Sequence, residues 1–300
     1  MDGILIVDKP AGITSHDVVA RVRRILRTKR VGHTGTLDPF ATGVMVMLVG
    51  KATRLAQFVD KDEKEYEATV QFGWETDTGD GTGVRSAECG IRNEEVAEGL
   101  ARVGWEAVLG KFRGRIKQVP PMFSAKKIDG KKLYELARKG VEIEREAADV
   151  TIHKLEILEA PAVDRTTVRL LVSCSAGTYI RTLAEDIGRE VGFLAHLIDL
   201  RRTRAGQFTI GEAVTLDEFA EDGSPQDRLL PVDLAVSHLP AFELREDRVP
   251  KTLNGMSTRD LSGRFSNGQL IRMNAPGGRL AAIGYFDEAE KVVQPKVVLG

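Results

Sequence analysis

A glycine-rich loop followed at once by an apolar run is the feature that most constrains this chain of 300 residues. The loop, residues 32–43, holds three glycines, one histidine and a single carboxylate, Asp38. The run 44–49 is short, uncharged and partly β-branched, which predicts a buried strand. An unpaired carboxylate beside a buried strand is energetically unfavourable. Asp38 is therefore expected either to cap a helix or staple the loop, or to do chemistry beside a cationic partner.

The formal net charge of −1 hides a strong segregation of charge along the chain. Residues 111–145 carry eleven lysines and arginines against four acidic residues, and residues 1–60 carry nine against five. Residues 60–98 and 211–247 are strongly acidic instead. Such a distribution predicts either a basic face on a nearly neutral protein or a set of independently solvated segments.

Cysteine content and hydropathy indicate the cellular compartment. The two cysteines argue against a disulfide framework, and Cys174 is expected in the core. The N-terminal apolar run 4–7 is too short for a signal peptide, and no stretch approaches the roughly 18 apolar residues of a membrane span. We therefore expect a cytoplasmic protein without a membrane partner.

Periodicity predicts a mixture of helices and strands. Thr14 and Asp17 form a capping box before an amphipathic helix whose apolar face lies opposite four arginines. In the alternating strand 66–72, Tyr66 lies on the buried face. The remaining predicted elements are helices at 94–109 (with Asn93 as its N-cap), 131–139 (with Gly140 as its C-cap) and 180–191, strands at 4–7, 151–158 and 167–175, and a domain junction at 221–250 before a β-rich tail.

Familiar cofactor and metal motifs are absent. Residues 43–51 lack the Walker spacing, and residues 79–83 do not fit the dinucleotide-binding fingerprint. The five histidines show no metal-ligand spacing, and adjacent Ser15, His16 and Asp17 are no indication of a catalytic triad. The remaining set, one loop carboxylate, a strand tyrosine, a helix-start arginine and basic segments, suits an enzyme that acts on a polyanion without metal or cofactor.

Six ordered segments resemble the motifs of the bacterial TruB-type tRNA pseudouridine synthases. The loop around Asp38 is similar to the characteristic loop of that family, and the resemblance covers about residues 3–215, with a PUA-like tail. The other matching segments are Asp8-Lys9-Pro10 with Gly12, Lys64-x-Tyr66 with Thr76 to Asp80, Pro121 to Tyr134, Ser173 to Arg181, and Leu200-Arg201-Arg202.

The resemblance implies isomerisation of uridine to pseudouridine at position 55 in the T arm of tRNA. Asp38 matches the family nucleophile, and Arg181 matches the arginine that pairs with it and should lower its pKa. Tyr66 matches the tyrosine that stacks on the target base and is a candidate for proton transfer. Tyr179 and Leu200 match residues that line the uridine pocket. Whether Asp38 attacks C1′, removes a 2′ proton or adds to C6 stays open at this point.

The resemblance also implies RNA contacts. The target base must leave its stack, and His33 matches the histidine that stacks near the vacated position. The insertion 111–145, including Lys126 and Lys127, matches an RNA-gripping element, and Lys9 belongs to the N-terminal motif. Each of these residues has a structural alternative: Lys9 as a brace, His33 as a loop-stabilising donor, and the two lysines as solvated cations. Tyr66 as plain core and Arg181 as a surface arginine are the corresponding alternatives in the site.

The expected fold is α+β, with a catalytic domain around a mixed, mostly antiparallel sheet at residues 1–240 and a PUA-like domain at 241–300. We expect a monomer that binds the T arm and needs no cofactor, metal or obligate protein partner. Two alternatives stay open: action on another RNA, including work within a guide-RNA particle, and a role as a tRNA-folding chaperone, which is compatible with catalysis.

Overall fold

A computed structural model describes residues 1–59, 63–124, 126–128, 130–137, 139–159 and 165–300; at 127, 128, 131 and 132 it describes the backbone alone. The strands are β1 Gly3–Lys9, β2 Val31–Thr34, β3 Thr42–Val49, β4 Lys64–Phe72, β5 Trp74–Thr76, β6 Arg85–Glu88, β7 Gly114–Gln118, β8 Lys127–Ile128, β9 Lys131–Lys132, β10 Ala148–Glu159, β11 Thr167–Cys174, β12 Ala195–Ala205, β13 Phe208–Thr209, β14 Val214–Thr215, β15 Ala241–Glu243, β16 Thr258–Arg259, β17 Leu270–Asn274, β18 Leu280–Asp287 and β19 Val292–Val298.

Helices connect these strands and cover the sheet. The first begins at the predicted capping box, in which the Thr14 side chain accepts from Asp17 N and the Asp17 carboxylate accepts from Thr14 N. Its buried face carries Val18, Val19 and Val22, and its arginines are exposed, as predicted. The α-helices are α1 Ser15–Ile25, α2 Ala56–Val59, α3 Asn93–Arg102, α4 Trp105–Gly110, α5 Leu133–Ala137, α6 Ile180–Val191, α7 Leu216–Glu221 and α8 Val249–Leu253.

Within the described part of the chain, a ten-stranded mixed sheet organises the first two thirds of the fold. Its order is β14-β1-β3-β12-β4-β11-β10-β7, with β2 paired to β3 and β13 paired to β12. The β1–β14 and β3–β12 pairs are parallel, and the other pairs are antiparallel. The mixed, mostly antiparallel sheet predicted from the sequence is thus confirmed.

The apolar run after the glycine loop is the buried strand β3. Its residues 44–49 are all inaccessible to solvent, because both faces of the strand are covered. One face packs on α1 and α7 through Val18, Val22 and Phe219, and the other packs on residues that include Leu55 and Ile283. The cluster formed by β4, β11 and α6 lies further along the same sheet. The Asp38 loop is therefore anchored to a strand that is buried on both faces.

The C-terminal residues form a second, five-stranded sheet in the order β15-β17-β18-β19-β16. Phe242, Ile271 and Phe286 belong to its own core. Leu280, Ile283 and Val297 belong instead to a cluster shared with β1 and β3. The predicted β-rich tail is confirmed, while the division at residue 240 stays a prediction.

Several predicted boundaries were wrong. The helix predicted at 94–109 is two helices, because Val103 and Gly104 leave the helical conformation, and Arg92 rather than Asn93 occupies the N-cap position of α3. The helix predicted at 131–139 begins at Leu133 rather than Lys131, since residues 131 and 132 pair with 127 and 128 as a short hairpin; residue 138 of the predicted helix lies outside the described residues. Among the described residues, no helix is long and apolar enough to cross a membrane.

Candidate active site

A cavity of about 280 Å³ opens where the Asp38 loop, β4, β12 and the start of α6 meet. Five residues singled out in the sequence contribute to its wall: Asp38, Tyr66, Tyr179, Arg181 and Leu200. Gly35, Lys64, Ser124 and Arg202 complete much of the remaining surface. The sheet therefore brings together residues that lie up to 167 positions apart in the chain.

The N-terminal segment holds the Asp38 loop from behind. Ser15 Oγ donates to Leu37 O at 3.0 Å and accepts from Leu37 N at 3.0 Å. Gly12 N donates to Pro39 O at 2.8 Å. These bonds occupy the backbone groups on both sides of Asp38, so the carboxylate is carried by a loop with little freedom to move.

Lys9 is a completely buried cation directly behind this loop. Its Nζ donates to Ala41 O at 2.6 Å, to Pro39 O at 3.1 Å and to Pro10 O at 3.0 Å. Burial lowers the pKa of Lys9 to about 8, with the neighbouring Asp38 opposing that shift. The group is still mostly protonated at neutral pH and has one N–H for each of the three carbonyls. This geometry supports the structural alternative, in which Lys9 braces the Asp38 loop, rather than a contact with RNA.

Replacing Lys9 with methionine should lower the stability of the protein and slow catalysis. The change leaves the carbonyls of Pro39 and Ala41 without their charged donor, at a cost of about 1.5–3 kcal/mol, and it releases the Asp38 loop. Denaturant unfolding and single-turnover kinetics would measure both effects. Lys29→Met, at an exposed lysine on the turn after α1, is the matched control and should change neither. An unaltered unfolding midpoint in Lys9→Met would refute the brace.

Arg181 forms the predicted ion pair with Asp38. Its Nε lies 3.0 Å from Asp38 Oδ2, and its Nη2 lies 3.3 Å from Asp38 Oδ1. The same guanidinium donates to Thr78 O at 2.7 Å and to Phe123 O at 2.7 Å. The Arg181 side chain is 5% exposed, whereas that of Asp38 is 34% exposed. A bidentate contact with the buried guanidinium therefore holds the Asp38 carboxylate in place at the cavity.

Asp80 is a second acid beside Arg181, with Oδ2 at 3.7 Å from Nη1. Its Oδ1 accepts from Thr82 N and from the Thr78 hydroxyl, both at 3.0 Å. These bonds fold residues 78–82 into a tight loop against Arg181. One buried arginine is thus shared by two carboxylates and two carbonyls.

The pKa of the Asp38 carboxyl is raised, contrary to the lowering predicted from the sequence. Burial is the largest cause, Arg181 opposes it, and the nearby Asp80 raises the pKa further. The prediction was wrong because it gave Arg181 more weight than burial and did not include Asp80. Arg181 limits the shift but does not reverse it, so Asp38 is a carboxylate whose charge is poorly solvated.

Tyr66 and Arg202 face each other across the β4–β12 pair. The Tyr66 side chain is buried, and both residues line the cavity. Burial raises the pKa of Tyr66 despite the guanidinium. Arg202 also donates from Nε to Val44 O at 2.7 Å and from Nη2 to Gly35 O at 2.8 Å. It therefore ties β12 to both ends of the Asp38 loop.

Two glycines permit this close approach of Arg202. Gly43 has a φ of +101°, and a Cβ there would lie 2.2 Å from the carbonyl oxygen of Arg202. Gly35 has a φ of +67°, and a Cβ there would meet the guanidinium at 3.2 Å. A side chain at either position would displace the arginine as well as strain the backbone.

The other predicted residues lie at different distances from the chemistry. Tyr179 and Leu200 line the cavity. The Gln118 side chain holds the backbone of Tyr179: its Nε2 donates to Tyr179 O, and its Oε1 accepts from Tyr179 N. His33 lies on β2, and its ring contacts that of His16 edge to face at 6.1 Å. Lys126 is exposed beyond the cavity. The Lys127 backbone lies in β8, and its side chain is outside the described part of the structure.

Sequence reasoning gave no role to Arg202, Lys64, Asp80 or Gln118. Arg202 shares the cavity face of β12 with Leu200, and Lys64 shares that of β4 with Tyr66. Strand alternation could therefore have pointed to both. Gln118 gave no such signal because its partner, Tyr179, lies far along the chain, and Asp80 lies in a matched motif but its contact with Arg181 likewise depends on a distant element.

Two protein-family models match the sequence of this chain. The model described as TruB family pseudouridylate synthase (N terminal domain) matches residues 23–180. The model described as tRNA pseudouridylate synthase B C-terminal domain matches residues 181–237. Together the two matches span all strands of the ten-stranded sheet except β1, and extend past β14 to residue 237.

Whole-chain relatives carry the same name. The tRNA pseudouridine synthase B of Bacillus pumilus (strain SAFR-032) is 42% identical over 94% of this chain and 92% of its own length. That of Geobacillus thermodenitrificans (strain NG80-2) is 45% identical over 86% of each chain. That of Aromatoleum aromaticum (strain DSM 19018 / LMG 30748 / EbN1) is 43% identical over 96% of this chain and 89% of its own.

Solved structures share the fold. A chain of the crystal structure of a Cbf5-Nop10-Gar1 complex is 25% identical with a TM-score of 0.74, covering 99% of this chain and 85% of that one. A chain of the archaeal box H/ACA sRNP Nop10-Cbf5 complex is 26% identical with a TM-score of 0.70, covering 99% and 86%. With the family models and the relatives, these likenesses lead to one conclusion: the chain belongs to the TruB family of pseudouridylate synthases.

Proposed function

We propose that this enzyme converts uridine to pseudouridine at position 55 in the T arm of tRNA, with Asp38 as the nucleophile and the target base flipped into the cavity. The observation that carries the proposal is the Asp38–Arg181 pair at 3.0 Å in the wall of a cavity of about 280 Å³. A pocket of that size suits a single base outside its stack. The names of the relatives supply tRNA as the substrate class.

Asp38 performs the central step as an ionised carboxylate. The reaction breaks the N1–C1′ bond, turns the base over and joins C5 to C1′, so no net redox change occurs. A partly buried carboxylate is weakly solvated and therefore reactive, while the bidentate contact with Arg181 keeps it aimed into the cavity. The attack on C1′, the removal of a 2′ proton and the addition to C6 all need this charged, oriented group.

Tyr66, Tyr179 and Leu200 hold the flipped base. Each contributes to the cavity wall, and an aromatic face beside a base is worth about 1–3 kcal/mol per base. Unstacking the base costs a few kcal/mol, so these contacts offset most of it. His33, on the strand that leads into the Asp38 loop, stacks near the position that the base leaves.

The basic stretch 111–145 grips the RNA backbone. Lys117, Lys126 and Lys139 are exposed. Other cations of the stretch are already engaged: Lys111 lies 2.5 Å from Glu190, and Arg115 lies 2.9 Å from Asp149. Exposed ion pairs of this kind are weak. Lys111 and Arg115 can therefore exchange these partners for RNA phosphates.

Affinity for tRNA should fall steeply with salt. Each phosphate neutralised by a lysine or arginine releases counterions, so raising salt from 50 to 200 mM should weaken binding by about tenfold or more. Filter binding of a T-arm RNA across that range would measure the slope. Lys117→Gln combined with Lys139→Gln should reduce the slope, whereas Lys291→Gln, in the C-terminal sheet region, should reduce it less. A flat salt response would contradict a phosphate grip.

The likeness to Cbf5 chains favours one specific alternative. Those structures are complexes with further proteins, so this enzyme could require an RNA-protein particle to act. Incubation of the purified protein alone with a T-arm stem-loop, followed by nucleoside analysis, separates the two functions. Pseudouridine formed by the single protein supports the proposed function, and its absence until partners or guide RNA are added supports the alternative.

A further inference from the structure

Gln118, the last residue of the edge strand β7, holds the backbone of Tyr179 through both ends of its carboxamide. Its Oε1 accepts from Tyr179 N at 3.0 Å, and its Nε2 donates to Tyr179 O at 3.3 Å. Gln118 is 2% exposed, so these bonds satisfy a polar group that water does not reach. The contact joins two parts of the chain that lie 61 residues apart.

This paired contact fixes the direction in which the Tyr179 side chain leaves the backbone. Tyr179 is the N-cap residue of α6 and has an extended conformation, and tyrosine is not one of the residues whose side chains cap a helix. Gln118 holds the peptide planes on both sides of Tyr179, which sets its φ and ψ and hence the direction of its Cα–Cβ bond. Only the side-chain torsions are left to the Tyr179 ring, which lies at the cavity wall.

A second contact ties the same segment to the first turn of α6. Arg181 Nη2 donates to Phe123 O at 2.7 Å. Residues 118–123 therefore meet the start of α6 at two points, Tyr179 and Arg181. The residues at 120 and 121, between these two points, are both prolines, and their fixed φ angles limit how far one contact can move independently of the other.

We propose that Gln118 is a positioning residue that places the Tyr179 side chain against the target base, so that the base presents its reacting atoms to Asp38. This inference rests on the proposed function. Among the described residues that form the cavity wall Gln118 is absent, so it acts through Tyr179 rather than on the base. A misplacement of about 1 Å can cost a factor of about 10² in rate, so the loss of both hydrogen bonds should slow the chemical step.

Gln118→Leu, a change of similar volume that removes both bonds, tests this role in single turnover. The chemical step should slow by about 10- to 100-fold, while affinity for T-arm RNA changes by no more than about a few-fold, since phosphate contacts supply most of it. Gln71→Leu is the matched control, because Gln71 bonds to Phe72 O at 2.8 Å and to Thr166 Oγ1 at 2.6 Å on the face of β4 opposite Tyr66. It should keep the wild-type rate. An unchanged rate in Gln118→Leu, or an equal slowing in Gln71→Leu, would overturn the inference.

A double-mutant cycle asks whether Gln118 acts through the Tyr179 side chain. In a Tyr179→Leu background there is no ring to place, so Gln118→Leu should slow that protein by less than about threefold. A purely structural role would give the same factor in both backgrounds, and that result would also overturn the inference. Denaturant unfolding of the four proteins establishes that each is folded under the assay conditions.

The outcomes separate this inference from the function on which it rests. If wild-type protein forms no pseudouridine, the proposed function fails. If the wild type is active and Gln118→Leu is equally active, only the positioning role fails. If Gln118→Leu does not fold, Gln118→Asn replaces it in the cycle, because its amide is one methylene too short to bond to both groups of Tyr179, and the same factors decide the result.

Discussion

Replacing Asp38 with asparagine should abolish pseudouridine formation, with a loss on the order of 10⁴-fold or more, while RNA affinity changes by no more than a few-fold. Asparagine has nearly the same shape, but its amide is neither a nucleophile nor a base. Its carbonyl oxygen can still accept from Arg181, which also keeps Thr78 O, Phe123 O and Asp80 as partners. The variant should therefore fold, and single-turnover kinetics with a binding assay would separate chemistry from recognition.

The control for this change is Asp199→Asn, at an exposed aspartate on β12, which should behave as wild type. Turnover by a sequence-verified Asp38→Asn protein at more than a few per cent of the wild-type rate would refute Asp38 as the nucleophile. An equally large loss of RNA affinity would instead assign Asp38 to binding.

The pH dependence of the reaction rate reports on the ionisation of Asp38. The ionised form is the active one, and burial raises the pKa of this carboxyl. The rate of the chemical step should therefore fall on acidification at a higher pH than an ordinary aspartate would give. The sign for stability is opposite: the folded state binds this proton more tightly than the unfolded chain, so this group favours folding more as the pH falls through its raised pKa.

Replacing Arg181 with methionine should both destabilise the protein and remove its activity. Among the described residues, Arg181 is the only cation within ion-pair distance of Asp38 and Asp80, and the change removes it. The change also leaves the carbonyls of Thr78 and Phe123 without this donor. Breaking a fully buried pair costs about 3–5 kcal/mol. We expect about 2–4 kcal/mol here, because part of the Asp38 carboxylate reaches solvent through the cavity. Denaturant unfolding would measure the loss, and single-turnover kinetics the activity.

Arg189→Met is the matched control on the same helix. Arg189 is about half exposed and pairs with Glu75 at 2.8 Å, so its loss should cost at most about 1 kcal/mol and leave the rate close to that of wild type. The double variant Asp38→Asn, Arg181→Met should recover part of the lost stability, because it removes one of the uncompensated charges. Wild-type activity in Arg181→Met would contradict the pairing as the support of Asp38.

The elements that the sequence predicted well are those with strong local signals. The alternation in β4, the apolar stripe of α6 and the uncharged run of β3 each identify an element and its buried face. Family resemblance then picked out Asp38, Tyr66 and Arg181, and the fold brings all three to one cavity. Their roles remain proposals, and the experiments above address those of Asp38 and Arg181.

Features that depend on strand register or on burial were not predictable. Tyr66 faces Arg202 only because β4 and β12 pair in one particular register, and nothing local to either strand fixes that register. The net direction of the Asp38 pKa depends on how much of the carboxyl is desolvated and on Asp80, whose loop approaches from a separate part of the chain. The break between α3 and α4 at Val103 and Gly104 was missed because the apolar pattern continues across it.

The most direct test of the proposed function is position-resolved mapping of pseudouridine in an unmodified tRNA transcript after incubation with the purified wild-type protein. We expect one modified site, the T-arm uridine at position 55, and no modification in a parallel reaction with Asp38→Asn. Pseudouridine at other positions only, or the same T-arm product from Asp38→Asn, would contradict it.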